Sequence, residues 1–277
     1  MIKRLVVGTL LLLTAAAASA GGIVNPSVDG NRVTATVSLA GSYEATLTME
    51  FQSAVGLTVQ NLGLSASLVN PNSISLVNRF PDASLISGLA SFPVKVTIDP
   101  PSTGGLSFTG PVSVELYTHN LSYDPTVPLR LFSAEPGSTF HDITERVSSG
   151  SYRVRGSKGE FSEFLILLDT RGSSDVITDK FSSLNGLISQ FSSSMSSSLA
   201  SQLQGYVDNA SAASQAGQYD NAISDLDDFI HTVDQAADAG NLPNVWRSAR
   251  DLDNVAGLLD ASAATLRFSL SQAANGL

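Results

Sequence analysis

The feature that most constrains this chain is a change of composition near Gly172-Ser173-Ser174. Ten of the eleven prolines lie between Pro26 and Pro136, and Pro243 stands alone beyond them. Alanine runs the other way, with 8 in residues 21–174 and 16 in residues 175–277. Proline interrupts helices and marks turns, whereas alanine is the strongest helix former. The chain therefore reads as an all-β part over residues 22–172 followed by an all-α part over residues 175–275.

Within the first part, Arg32 to Leu39 and Ala45 to Phe51 alternate polar and apolar residues. Pro93 to Ile98 and Val112 to Tyr117 repeat the pattern. Period 2 with Val, Ile and Thr enrichment marks strands with one buried face. Pro100-Pro101, Gly104-Gly105, Gly110-Pro111 and Pro136-Gly137 punctuate these runs as turns. About eight strands with no helical stretch between them predict an antiparallel β-sandwich. The long, buried-looking run Phe161 to Leu168 is expected at a sheet centre.

The second part changes period. Phe181, Leu184, Ile188, Phe191, Met195, Leu199 and Leu203 step by three or four, as residues on one helix face do. Serine supplies 12 of the 30 residues from Ser173 to Gln202, which weakens this helix without breaking its stripe. Tyr219, Ala222, Ile223, Leu226, Phe229, Ile230 and Val233 form a second stripe. A third helix is predicted to start at Asn241-Leu242-Pro243 and to carry Trp246, Ala249, Leu252, Ala256, Leu259, Ala263, Leu266 and Leu270 inward. Short connections at Gly217 and Gly240 make neighbouring helices antiparallel. The expectation is a three- or four-helix antiparallel bundle, depending on whether residues 178–215 form one helix or two.

The N-terminus reads as an address. Met1-Ile2-Lys3-Arg4 is followed by the apolar stretch Leu5 to Ala18 and by Ala18-Ser19-Ala20, which has the small-x-small form of a signal-peptidase site. Residues 1–20 are read as a removable export signal, since the apolar run is shorter than the roughly 20 residues that span a bilayer. No later segment is long and apolar enough to cross a membrane, so no transmembrane segment is expected after removal. Location in the periplasm, at the cell surface or in the medium follows. Without Lys3 and Arg4 the chain has 13 basic and 25 acidic residues, a net charge of −12. Such a surface repels nucleic acid and anionic lipid. Cysteine is absent, which excludes disulfides, thiolate catalysis and Cys-ligated metal centres.

No catalytic, cofactor-binding or metal-ligating set is identified, and no cofactor is expected. His119, His141 and His231 sit in different elements without metal-ligand spacing. His141-Asp142 would supply two members of a hydrolytic triad, but no G-x-S-x-G elbow accompanies them. His231 is read as a surface histidine between Asp227 and Asp234. Asp225-Leu226-Asp227-Asp228 and Asp251-Leu252-Asp253-Asn254 resemble calcium-loop spacing, yet they fall inside predicted helices and lack the loop's glycine and closing glutamate. They are read as solubilising charge. Asn120-Leu121-Ser122 and Asn209-Ala210-Ser211 match the glycosylation triplet, relevant only in a eukaryotic secretory host. No glycine-rich phosphate loop opens a helix after a strand. Tyr117, Tyr123, Phe140 and Tyr152 flank turns and offer a candidate carbohydrate face, with core packing as the alternative.

Two resemblances accompany these readings. Leu129 to Phe132, His141 to Thr144, Gly150 to Val154 and Phe161 to Phe164 resemble the closing strands of bacterial surface sandwiches similar to the ZU5-type fold. Some of those modules cleave themselves at a His-Phe-Ser triplet. Glu160-Phe161-Ser162 occupies that place here and lacks the histidine, so no self-cleavage is expected. Gly217-Gln218-Tyr219, Ala222-Ile223, Leu226, Phe229-Ile230 and Val233 resemble the FIMAH-type helical hairpin of exported bacterial proteins. Asn254 to Leu259 and Ala264 to Phe268 are similar to an uncharacterised exported bacterial family that combines both parts. The resemblances imply a non-enzymatic protein for binding, adhesion or assembly at the cell envelope, with a protein or glycan partner. A carbohydrate- or calcium-binding module is the alternative, and a glycosidase with paired carboxylates is a third.

Overall fold

The computed structural model describes residues 22–277, and the expected signal over residues 1–20 lies outside the described residues. One antiparallel sheet holds, in spatial order, β1 (Gly22–Asp29), β2 (Arg32–Leu39), β3 (Tyr43–Val55), β7 (Ser107–Ser122), β11 (Ser151–Lys158) and β10 (Thr144–Ser148). The other holds β4 (Leu64–Leu68), β6 (Val94–Ile98), β12 (Glu163–Asp169), β8 (Leu129–Ala134) and β9 (His141–Asp142), with β5 (Ile86–Gly88) also on β12. Alternation does the work the pattern predicts: Val33, Ala35 and Val37 of β2 and Val112, Val114 and Leu116 of β7 point into the core shared by both sheets. The outer edge strand β1 carries a bulge between Val24 and Ser27, with Pro26 in it, which blunts it against further pairing.

The run Phe161 to Leu168 is central, as expected, and Phe164 to Leu168 are all apolar because β12 is covered on both faces. Phe164 and Ile166 enter the inter-sheet core. Leu165 and Leu167 meet a second cluster formed by Leu76, Phe80 and Ile86 from the excursion between β4 and β6, with Phe132 and Phe140. That excursion contains α2 (Ile74–Val77), and another single helical turn, α1 (Val59–Leu62), precedes β4. The expected absence of helix between strands is corrected there. The strand count also exceeds eight, because segments as short as β5 and β9 pair without a legible alternating run.

Arg79 fastens the excursion. Its Nη1 lies 2.7 Å from Oε2 of the buried Glu163. Its Nε donates to Ser138 O at 2.7 Å and its Nη2 to Glu135 O at 3.0 Å, with the guanidinium 4.4 Å from the Phe140 ring centroid. Lys95 pairs with the other Glu163 oxygen. Arg79→Ala is expected to cost about 2–3 kcal/mol in urea unfolding, since it leaves a buried carboxylate half-compensated. A loss below about 0.5 kcal/mol would show that the excursion is held by its apolar side chains alone.

Four long helices follow: α3 (Ser173–Gln190), α4 (Ser197–Gln215), α5 (Tyr219–Asp238) and α6 (Val255–Ala274). The serine-rich stretch is two helices, broken by a 3-10 turn at Ser192–Ser194 and the extended Met195. Gly217 and Gly240 take φ +71° at the ends of α4 and α5, the left-handed conformation that glycine adopts without strain. Gln218 N donates to Ala213 O and Asn241 N to Ala236 O, the six-to-one closure of that helix ending.

The third predicted helix starts late. Residues from Asn241 to Asn254 are mostly irregular, and Trp246–Arg247 forms a two-residue strand, β13, on Phe108 and Ser107 of β7. Trp246 leaves the bundle and enters the sandwich core, stacked on Phe108 with centroids 5.3 Å apart and edge-on to Phe161 at 4.8 Å. Asp251-Leu252-Asp253-Asn254 is consequently outside a helix, and Arg247 pairs with Asp251 at 2.6 Å.

Asn254 then joins the two parts. Its Oδ1 caps α6 by accepting from Gly257 N at 3.1 Å, while Nδ2 donates to Gly110 O at 2.8 Å and Gly159 O at 3.0 Å. A Cβ on Gly257 would lie 2.7 Å from Gly110 O, so only glycine allows this approach of helix to sheet.

Candidate functional site

A cleft of about 520 Å³ opens where α3 and α6 meet the sandwich. Its apolar walls are Pro81, Val176, Leu187, Leu258 and Ala261. Its polar lining includes His141, Lys158, Glu160, Arg171, Asp179 and Ser183. The volume is within the range of small-molecule sites.

The floor is an ion pair inserted between the two parts. Lys180 falls on the buried face of α3, three residues after Ile177 and four before Leu184, both buried. Its Nζ lies 2.7 Å from Asp142 Oδ2 and donates to Thr265 Oγ1 at 2.7 Å. Asp142 Oδ1 accepts from Thr144 N at 2.9 Å, and Thr265 Oγ1 donates to Thr144 O at 2.9 Å. Burial alone would raise the Asp142 carboxyl, but Lys180 and Thr144 outweigh it and hold the group below its ordinary value. Burial lowers the Lys180 ammonium from its ordinary 10.5, against the pull of Asp142. The hydrogen-bonded geometry is that of an ionised pair.

The remaining cleft charges are also paired. Arg171 forks onto Asp169, Nε to Oδ1 at 2.9 Å and Nη2 to Oδ2 at 2.7 Å, and reaches Asp179 at 2.5 Å. Lys158 lies 3.3 Å from Glu160. His141 stands exposed at the mouth, where partial desolvation and then Lys158 hold its imidazole below the ordinary value, against Asp179.

His141 and Asp142 do not act together, because neighbouring residues on a strand point to opposite sides. One faces solvent and the other is spent on Lys180. A different serine–histidine contact does exist: Ser151 Oγ and His119 Nδ1 are 2.6 Å apart at the end of the β7–β11 ladder. The contact lies outside the cleft, and among the described residues no carboxylate hydrogen-bonds the ring.

The other candidates are dispersed. His231 lies 2.9 Å from Gln235, and Asp227 pairs with Arg267 at 2.7 Å. Among the described residues, no group of three His, Asp or Glu side chains is placed to hold a metal ion. Of the four aromatic candidates for a carbohydrate face, Phe140 and Tyr152 are core residues, and Tyr152 donates to Leu129 O at 2.6 Å. Tyr117 has one ring face occupied by Arg153, 4.5 Å from the centroid. Among the described residues, no helix is long and apolar enough to cross a membrane. The cleft residues Lys180 and Arg171 were not singled out from the sequence. The signal for Lys180 was a lone lysine at helical spacing within an apolar stripe.

The composition break does not divide unrelated modules. One family pattern, described as a family of unknown function, DUF6689, matches residues 8–274. The chain belongs to DUF6689. The match runs through the sandwich, Asn254 and the bundle, so the parts that build the cleft occur together in the family's pattern. No curated protein matches the chain.

Proposed function

We propose that this DUF6689 member is a non-catalytic exported protein that binds a small polar ligand or a short segment of an envelope partner in the cleft between sandwich and bundle. The carrying observation is the cleft itself, with apolar walls and fixed charges of both signs at its lining. Its carboxylates are held by cations: Asp142 by Lys180, Asp179 by Arg171 and Glu160 by Lys158. Lys180 and Thr144 hold Asp142 below its ordinary value, which is unsuited to the protonated acid that glycoside hydrolysis needs. That arrangement supports binding over turnover. Export is supported by the reading of residues 1–20, and the resemblance to ZU5-type sandwiches and FIMAH-type hairpins of exported bacterial proteins agrees with it.

The test is calorimetry of the purified protein against short peptides, cell-wall glycans and calcium, beside Ser183→Trp, which fills the cleft. Binding by the native protein, weakened at least about tenfold in the filled variant, is expected. Hydrolysis of a glycan or peptide, lost on changing one cleft residue, would replace binding with catalysis. Silence across the panel would remove the cleft as the site for these ligand classes.

A further inference from the structure

Helix α6 serves two surfaces at once. Leu258, Ala261, Ser262 and Thr265 line the cleft. The same helix also packs on β7, β10 and β11, and the charge of its Asp260 is among the influences that raise Glu145 of β10. One Glu145 oxygen accepts from Ser157 Oγ at 2.9 Å, and the other, Oε1, is buried without a hydrogen-bond partner among the described residues. An ionised carboxylate with an unpartnered buried oxygen is costly, and a proton removes most of that cost.

The surrounding cations are already engaged. Arg155 of β11, which acts on Glu145, pairs with Glu50 at 3.3 Å and Glu115 at 3.4 Å. Lys180 of α3 is held by Asp142. Arg267, which acts on Asp260 from the same helix, is bound to Asp227 of α5, and its Nε is buried without a partner. Asp234 of α5 adds a further negative charge near Asp260. Among the described residues neither Glu145 nor Asp260 is in a salt bridge, and they lie on elements that pack against each other.

We propose that the seam between α6 and β10 is a proton-operated latch on the cleft. Protons on Glu145 and Asp260 draw α6 onto the sandwich, and their loss loosens α6 and the cleft wall it supplies. The regulatory part rests on the binding reading above; the latch itself does not.

Burial, with Asp260 adding to it, pushes Glu145 from 4.5 up to about 7. Burial and then Asp234 push Asp260 from 3.8 up to about 6. Acids whose folded values are raised contribute stability that is complete below their ordinary values and is lost as pH rises toward the folded ones. The latch therefore tightens on going from pH 8 to pH 5. His141 at the mouth works in the opposite sense, since its folded value is lowered and protonation there opposes the folded state.

Hydrogen exchange of the purified protein, corrected for intrinsic rates, reads the latch without any ligand. Amides of β10 and α6 are expected to be protected about tenfold or more better at pH 5 than at pH 8. Glu145→Gln with Asp260→Asn should keep the protected behaviour at both pH values, and Glu145→Gln alone should recover part of it. Amides of β2 and β3, remote from α6, provide the internal control. An unchanged pH dependence in the double variant, or a flat response in the native protein, would overturn the latch. A seam that responds while the ligand panel stays silent would uphold the latch and defeat the binding reading.

Discussion

Lys180→Met is expected to lower unfolding free energy by about 3–5 kcal/mol near neutral pH, the cost of leaving a buried charge uncompensated. The Asp142 side chain is only 2% exposed, so water cannot replace the ammonium. Asp142's own share of the pH dependence should reverse as well, on top of the gain on acidification that Glu145 and Asp260 give both proteins. In the native protein Asp142 has a lowered value, and its contribution is present above the ordinary 3.8 and lost as pH falls through the folded value. Without Lys180, burial dominates and raises the carboxyl, so acidification from neutral pH should recover stability. Asp142→Asn in the same chain keeps an acceptor for Thr144 N, removes the charge and should restore about half of the loss. Urea midpoints at pH 4.5 and 7 for the native protein and both variants check these statements: Lys180→Met should gain more on acidification than the native protein does. A single-variant cost below about 1 kcal/mol, with no change in pH dependence, would mean that the floor of the cleft is wet or mobile.

Trp246→Ala should cost a similar amount, about 3–5 kcal/mol, through the transfer and cavity terms of a large buried ring. Its particular consequence is local. Trp246 is held between Phe108 and Phe161, and Ser248 N donates to Leu106 O just beyond it. Losing the ring should free this stretch from β7 and expose Arg247 and Arg250 to trypsin while the bundle core stays folded. Cleavage there at native conditions, detected by mass, is the expected result. A variant that is weakened but uncut would show that the strand pairing and the Asn254 bonds hold the segment without the ring.

The two-part architecture was legible because proline, alanine and hydrophobic period all change at one place. Gly217 and Gly240 were legible as helix ends for a local steric reason. Trp246 was misread because Ala249 and Leu252 happen to continue its spacing with Ala256 and Leu259, and periodicity does not record which core a ring enters. The Asp142–Lys180 pair was illegible as a pair, since each partner is an unremarkable charged residue until two distant elements meet. Its traces were positional: Lys180 at helical spacing among Ile177 and Leu184, and Asp142 in the buried alternation of Phe140 and Thr144. Glu145 left no such trace. What raises it is the lie of α6 across β10 and β11, a property of tertiary packing alone.

The insertion of Trp246 also sets a timetable. The aromatic cluster of Phe51, Phe108 and Phe161 is complete only when a ring from near the C-terminal end joins it. A polypeptide made N-terminus first delivers β1 to β12 before the ring that finishes their core. Such long-range closure is slow, because distant segments must meet before the contact rewards them. The sandwich therefore finishes its core only after the segment carrying Trp246 has been made.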